Sequence, residues 1–314
     1  MLQRPYFKQP LFWLTLAVLA LAALRYLDQN FAQAGLWFFV GLTLTTGFFH
    51  GALDIVLLQR EFASAHRLAG AVFLYVVAAL LLAVLCAYSS WLMVLLLLAM
   101  SVWHFGEPYG RWAQDAWVHR AVAGGAPVML PALLSAGGIR DVLVMAVGPD
   151  SSWAWTTWQT MAWLWVGLCA AGLLTLRHKL LCRPLWAEVG VVFLLNMVLS
   201  PLAAFALYFG LLHASGHIRR VALRQHAKAI TAELPATGSI LAMVRRAPLL
   251  VTCIATATLL LALAWYLQSD ANAYWHEPFS VLRWILVALT AVTLPHLVLI
   301  SRCAHWLSAE HLTS

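Results

Sequence analysis

The sequence predicts an all-α fold, a polytopic transmembrane helical bundle that forms a single integral-membrane domain over residues 1–314. Hydrophobic residues make up 63% of the chain and charged residues only 10%. Apolar runs reach about 20 residues, which is the length that a helix needs to cross a bilayer. The 19 Lys and Arg and 12 Asp and Glu side chains are too few to cover a soluble protein of this size. A soluble enzyme, a disordered chain and a disulfide scaffold are therefore excluded.

Ten apolar segments of near-spanning length follow one another, and we expect eight to ten spanning helices. The first segment has the basic flank of a signal peptide, but Arg25 and Asp28 stand where a small-residue cleavage site should be, so we interpret it as a retained helix. The junctions at 89–90 and 200–201 predict either tight helical hairpins or single broken helices. The segments are at about 11–27, 35–58, 68–89, 91–106, 115–135, 153–176, 185–200, 201–217, 248–267 and 279–302.

Basic residues predict the orientation of the bundle. The net charge is +7, and the positive residues are concentrated in alternate connections, whereas the opposite side holds little more than Arg25, Arg140 and Arg283. This bias follows the positive-inside rule and predicts cytoplasmic termini in a multi-pass protein of the cell (inner) membrane. Because the charges do not form one continuous basic face, no nucleic-acid partner is expected.

Ionisable side chains inside apolar segments are the candidates for function, because they are costly at bilayer depth. His213 and His217 are four residues apart and share one face of a helix, and His50 and Asp54 have the same spacing. The complete set is His50, Asp54, His104, Glu107, His119, Glu188, His213, His217 and His296, with Asn196 as an uncharged companion.

Five of these histidines share one depth. Each lies within about two turns of the cytoplasmic end of its segment. A lone histidine near a helix end is more often an interfacial residue, but five at one depth predict a shared metal centre. Neutral imidazoles without a thiolate suit Fe(II), Zn(II) or Cu better than Mg or Ca. The five are His50, His104, His213, His217 and His296.

The residues beside these histidines each allow two interpretations. Asp54 either supports the histidines or pairs with an arginine that follows it, and Glu107 either supports them or pairs with Arg111. Gly47 and Gly51 predict close helix packing around the first histidine. The neighbouring aromatic residues predict either helix contacts or the walls of a cavity at the metal; they include Phe49, Trp103, Phe105, Tyr208 and Phe209.

Several membrane functions compete at this point. A di-iron desaturase needs more clustered histidines or bridging carboxylates than the chain has. A retinal-binding rhodopsin needs a lysine inside a helix, whereas the lysines here all fall in connections. A zinc hydrolase with Glu107 or Glu188 as its base stays open. Two further possibilities stay open. One is a proton or metal-ion transporter that uses the histidines and carboxylates as a relay, and the other is a haem protein.

Four short motifs together resemble the Brp/Blh family of membrane β-carotene dioxygenases, which cleave β-carotene to retinal. The motifs are GFFHGALDIVLL, SVWHFGEP, YFGLLHASGHIRR and LPHLVLI, in this order. The resemblance implies that one non-haem Fe(2+) is held by catalytic residues, with two carboxylates in support and one histidine close by. The implied ligands are His50, His104, His213 and His217, the carboxylates are Asp54 and Glu107, and the neighbour is His296.

The same resemblance implies the reaction and the partners. A β-carotene or related carotenoid would enter from the lipid phase, and O2 would cleave its central double bond to give two molecules of retinal. No nicotinamide or flavin is expected, since the sequence contains no Gly-rich dinucleotide motif. A rhodopsin that accepts the retinal is a candidate partner. No residue of the sequence indicates this partner.

Overall fold

The computed structural model describes residues 10–30, 34–109, 116–176, 183–221 and 279–303, and every regular element in these ranges is helical. The predicted all-α bundle is confirmed. The helices are α1 (Pro10–Asn30), α2 (Ala34–Leu42), α3 (Phe48–Glu61), α4 (Ala65–Tyr88), α5 (Ser90–Phe105), α6 (Ala116–Leu134), α7 (Ala136–Val147), α8 (Ser152–Leu176), α9 (Arg183–Val198), α10 (Pro201–Leu207) and α11 (Phe279–Arg302). Two π-helical turns, Thr43–Gly47 and Tyr208–Ala214, and a 3-10 turn, Glu107–Tyr109, complete the set.

Five helical runs of the described residues are long and apolar enough to cross a membrane. They are Gly35–Glu61, Ala65–Tyr88, Ser90–Tyr109, Pro201–Val221 and Leu282–Arg302. Helices α6 and α7 form a bent pair that is apolar enough to be either one broken span or a re-entrant loop. Helices α1 and α8, of 21 and 25 residues, also coincide with predicted segments, as does the shorter α9. The predicted segment at 248–267 and the cytoplasmic connection before it lie outside the described residues.

Serine residues define two of the helix boundaries. Ser89 donates its N–H to the Leu85 carbonyl at the end of α4, and its hydroxyl accepts a hydrogen bond from the Leu92 N–H at the start of α5. One residue therefore caps both helices, and α4 and α5 are two separate spans. At the second junction, Ser200 precedes Pro201, which begins α10 in the position that proline favours. The Asp28 carboxylate accepts hydrogen bonds from the Ser200 N–H at 2.6 Å and its hydroxyl at 2.8 Å, which ties α1 to this junction.

Helix α7 is not among the predicted segments. The chain bends by 106° between α6 and α7, and α7 folds back against the bundle. With 12 residues it is too short to cross a membrane, so a search of the sequence for segments of spanning length does not detect it. Its buried residues nevertheless follow helical spacing, which is the signal that predicts an amphipathic helix. They are Ile139, Val142, Leu143 and Ala146.

Two glycines allow α5 and α6 to approach until their backbones touch. A Cβ atom on Gly124 would lie 1.8 Å from the Val102 carbonyl oxygen, and one on Gly106 would lie 1.9 Å from the Arg120 carbonyl oxygen. No side chain larger than a hydrogen atom fits at either position. This contact fixes the end of α5, where His104 lies, against the central helix α6.

Candidate metal centre

The five histidines predicted to lie at one depth meet in the interior of the bundle. All five side chains are buried. The Nε2 atoms of His50 and His296 are 3.2 Å apart, and those of His104 and His213 are 2.9 Å apart. The ring of His217 lies 4.5 Å from the ring of His50, measured between centroids. Four distant stretches of chain thus contribute imidazoles to one cluster, which we call the histidine cluster.

Two π-helical turns position part of this cluster. Thr43–Gly47 directly precedes the helix that carries His50, and Tyr208–Ala214 includes His213. The turns pack against each other through glycine: a Cβ atom on Gly47 would lie 3.0 Å from the Phe209 ring, and one on Gly210 would lie 3.1 Å from the Thr46 hydroxyl. Such turns occur frequently at functional sites, because they change the direction of the side chains that follow.

Gly51 differs from Gly47 in this respect. A Cβ atom on Gly51 would meet no atom of the described residues within 4 Å, and the residue is exposed. The close packing predicted for the pair Gly47 and Gly51 is therefore correct for Gly47 and wrong for Gly51. The reason is that α3 turns Gly51 to the outside, whereas Gly47 faces the second π-helical turn.

The carboxylate of Asp54 faces the histidine cluster. It accepts a hydrogen bond from His296 Nδ1 at 2.6 Å and another from the Tyr75 hydroxyl at 2.6 Å. This contact directs Nδ1 of His296 to the carboxylate and its Nε2 to His50. Tyr75 is a residue that sequence reasoning missed. Its only signal is a phenol inside the otherwise apolar segment that forms α4.

Three ring nitrogens of the cluster lack a hydrogen-bond partner among the described residues: His50 Nδ1, His104 Nδ1 and His217 Nε2. Coordination of an ion would give the buried His217 Nε2 a partner, whereas the two Nδ1 atoms belong to rings whose Nε2 atoms form the close pairs. Two nitrogens bound to one ion at about 2.0–2.1 Å and at right angles are about 2.9 Å apart, close to the separations observed here. One nitrogen each from His50, His104 and His296 also lie within 4.8 Å of one another. The donor set therefore fits a metal ion.

The other two candidate carboxylates have different surroundings. Glu107 is buried in the 3-10 turn that follows α5, while Arg111 lies outside the described residues. Glu188 accepts hydrogen bonds from the Tyr208 hydroxyl at 3.1 Å and from the Tyr109 hydroxyl. The structure thus places Glu188 in a network with two phenols. Tyr109 is a further residue that sequence reasoning missed.

The aromatic residues separate into two groups. Phe105 and Phe209 contact the cluster: their rings lie 4.8 Å and 6.1 Å from the ring of His213, the second one nearly parallel to it. Tyr208 lies 6.3 Å from the same ring. Trp103 is 46% exposed, and the Arg120 guanidinium covers it, so it does not line the cluster. The side chain of Phe49 lies outside the described residues.

Comparison with known proteins identifies the family. A family model described as beta-carotene 15,15'-dioxygenase matches residues 41–303, which include the whole histidine cluster. Comparison with curated proteins and with solved structures gives no match. The matched region covers most of the chain and the four motifs that carry the resemblance. The chain therefore belongs to the β-carotene 15,15'-dioxygenase family, and it is a membrane dioxygenase that acts on a carotenoid and O2.

Proposed function

We propose that this protein is a non-haem Fe(II) dioxygenase that cleaves the central double bond of β-carotene to give two molecules of retinal. The observation that carries the proposal is the buried histidine cluster, with its closely spaced Nε2 atoms, in a chain of this family. Neutral imidazoles suit Fe(II), Zn(II) or Cu. Since zinc has no redox chemistry, a reaction that consumes O2 favours iron over zinc.

His50, His104, His213 and His217 are the proposed ligands. His296 is a fifth candidate, because its Nε2 lies 3.2 Å from His50 Nε2 and its other nitrogen is held by Asp54. Hydrogen bonds of this kind from the far nitrogen of a ligand to a carboxylate fix the tautomer and the orientation of the ring. Imidazoles at these positions would hold a divalent ion without adding negative charge.

The reaction balances without a further reductant. The central carbon–carbon double bond breaks, two carbonyl groups form, and each takes one atom of O2. The two carbons supply the electrons that reduce the oxygen. When bound, the iron supplies the activation of O2 that this step requires.

The residues of the chain supply binding and orientation. Phe105 and Phe209 form an apolar wall beside His213, against which a polyene can pack. Asp54 keeps the proton of His296 on Nδ1, so that Nε2 stays available as a ligand. A hydrophobic substrate would reach this site from the bilayer, and the retinal product would leave into the bilayer. A rhodopsin there is a candidate acceptor of the retinal. We place the protein in the cell membrane.

Expression in carotene-producing cells tests the proposal. Cells that contain the protein should lose their orange colour and accumulate retinal. Substituting His213 or His217 by Ala should abolish both iron retention and retinal formation, whereas His66→Ala, at an exposed histidine of α4, should preserve both. Persistent colour with well-expressed protein would contradict the proposal. Zinc in place of iron in the purified protein would instead favour the hydrolase.

A further inference from the structure

An apolar cavity of about 100 Å³ lies between the helices of the bundle, and part of it opens at the surface of the bundle. Side chains from α2, α5 to α8, α10 and α11 line it. Among the described residues that do so, only Ser101 and Trp158 carry a side-chain oxygen or nitrogen. A ligand that fills this space must therefore be almost entirely hydrocarbon.

The cavity occupies one side of the histidine cluster. Four stretches of chain that carry the histidines also line the cavity, and in each of them the cavity residue precedes the histidine. All four stretches thus run from the cavity toward the cluster. The pairs are Phe39 and His50, Ser101 and His104, Phe205 and His213, and Leu289 and His296.

Aromatic rings continue the apolar wall from the cavity to the cluster. Phe205 lines the cavity and is stacked on Phe209 at 6.0 Å with an interplanar angle of 5°. Phe209 is in turn stacked on His213. Phe105 lies 5.8 Å from Phe205 and 4.8 Å from His213. These rings therefore form a continuous apolar layer between the cavity wall at Phe205 and the histidine cluster at His213.

Arg283 marks the opposite end of the cavity. It donates hydrogen bonds to the Ser90 hydroxyl at 2.9 Å and to the carbonyl oxygens of Ala146 and Ala87 at 3.0 Å each. These bonds tie α11 to the ends of α4, α5 and α7, and they offset the cost of an arginine in an apolar helix. Ala146 itself lines the cavity. This end is consequently held in place by four helices.

The distance from the far end of the cavity to the histidine cluster follows from helix geometry. Met93 lines it eleven residues before His104 on α5, which corresponds to about 16 Å at 1.5 Å per residue. On α11, Arg283 lies thirteen residues before His296, which corresponds to about 20 Å. The distance from the far end to the cluster is therefore defined by two helices whose ends are joined.

We propose that this cavity receives one arm of the carotenoid, and that its far end at Met93 and Ala146 determines which double bond lies at the histidines. The inference rests on the proposed function. A conjugated polyene is stiff and cannot shorten by coiling. If its terminal ring stops against a fixed wall, the bond at the cluster is set by the length of the arm between them. The far end of the cavity is thus a determinant of the cleavage position.

Shortening the cavity is the first test. Ala146→Phe places a ring in the cavity, and it should lower retinal formation from β-carotene about tenfold or more, because the ring occupies space that the end of the carotenoid needs. A carotenal shortened at one end should still be cleaved at nearly the wild-type rate, with its short arm in the cavity. Val144→Phe is the matched control, since it adds the same ring to the exposed side of α7. Equal loss on both substrates, or no loss on either, would overturn the inference.

Lengthening the cavity is the second test. Met93→Ala should allow the carotenoid to slide deeper, so that part of the retinal is replaced by two aldehydes of unequal length. Met100→Ala is the matched control, because Met100 is buried on the same helix but is not one of the residues that line the cavity. Chromatography of the products separates the two cases. Retinal as the sole product of an active Met93→Ala variant would contradict a role for this end of the cavity.

Binding to the metal-free full-length protein separates this inference from the proposed function. Retinol fluorescence reports occupancy of the cavity, and Ala146→Phe should weaken retinol binding about tenfold while Val144→Phe leaves it unchanged. If the two variants bind retinol in this way but the wild-type protein cleaves no carotenoid, the proposed function is contradicted and the cavity is still supported as a polyene site. Unchanged binding in Ala146→Phe would sink the cavity assignment, even if the wild-type protein forms retinal.

Discussion

His296 Nδ1 donates a hydrogen bond of 2.6 Å to Asp54 Oδ1, which joins α11 to α3 across 242 positions of the sequence. Both side chains are almost completely buried. The second carboxylate oxygen accepts the Tyr75 hydroxyl from α4, so Asp54 connects three helices at the histidine cluster. The orientation of the His296 ring, and with it the position of Nε2 beside His50, depends on this contact.

Asp54→Asn should weaken metal binding about 10–100-fold, because carboxylates that orient metal-bound histidines typically contribute this much. The substitution preserves the size of the side chain and removes its charge. Titration of the metal-free protein with Fe(II) measures the effect, and Asp141→Asn, at an exposed position of α7, is the control. An unchanged affinity in the Asp54 variant would show that the contact does not act on the metal centre.

His296→Ala should release the metal to the same extent as His50→Ala. The expectation follows from the 3.2 Å separation of their Nε2 atoms and from the position of both rings beside His104. Metal content of the purified variants, determined by mass spectrometry, checks it. If His296→Ala retains all of its metal while His50→Ala loses it, His296 is a neighbour of the ligands. The ligands are then the four histidines implied by the motifs.

Gly124→Ala should destabilise the protein by about 1–3 kcal/mol or more, because the new methyl group overlaps the Val102 carbonyl and forces α5 away from α6. Gly167→Ala is the control, since a Cβ atom there meets nothing within 4 Å in the part of the chain that the structure describes. In an open helical position, alanine is more favourable than glycine by about 1 kcal/mol, so the control should be neutral or stabilising. Thermal unfolding in detergent measures both variants. Equal midpoints would contradict the close contact of the two helices.

Glu188→Leu should destabilise the protein by about 1–3 kcal/mol for each phenol hydroxyl that loses its acceptor. The two hydroxyls belong to Tyr109 and Tyr208, and the second of these is fully buried. Glu188→Gln retains an acceptor oxygen and should restore most of the loss. The comparison is made by thermal unfolding of the two variants. If they unfold at the same temperature, the hydrogen bonds to the phenols do not stabilise the fold.

The parts of the fold that sequence reasoning identified share a local physical cause. Spanning helices and buried ionisable residues can be recognised within one segment, because the bilayer requires long apolar runs and penalises charge wherever it occurs. Each predicted segment in the described residues coincides with a helix, and the five histidines predicted at one depth lie together. Helix α7 was missed because it is shorter than a span, although its apolar spacing was visible.

The sequence by itself determined the membrane bundle, the family and the side chains that form the histidine cluster, because residue type and spacing are properties of short stretches. Only the tertiary structure decided that Asp54 holds His296, that two π-helical turns meet at Gly47 and Gly210, and that an apolar cavity extends from Phe205 to Ala146. Each of these features depends on contacts between helices far apart in the chain. Such contacts follow from how the packed surfaces fit one another, which no single segment encodes.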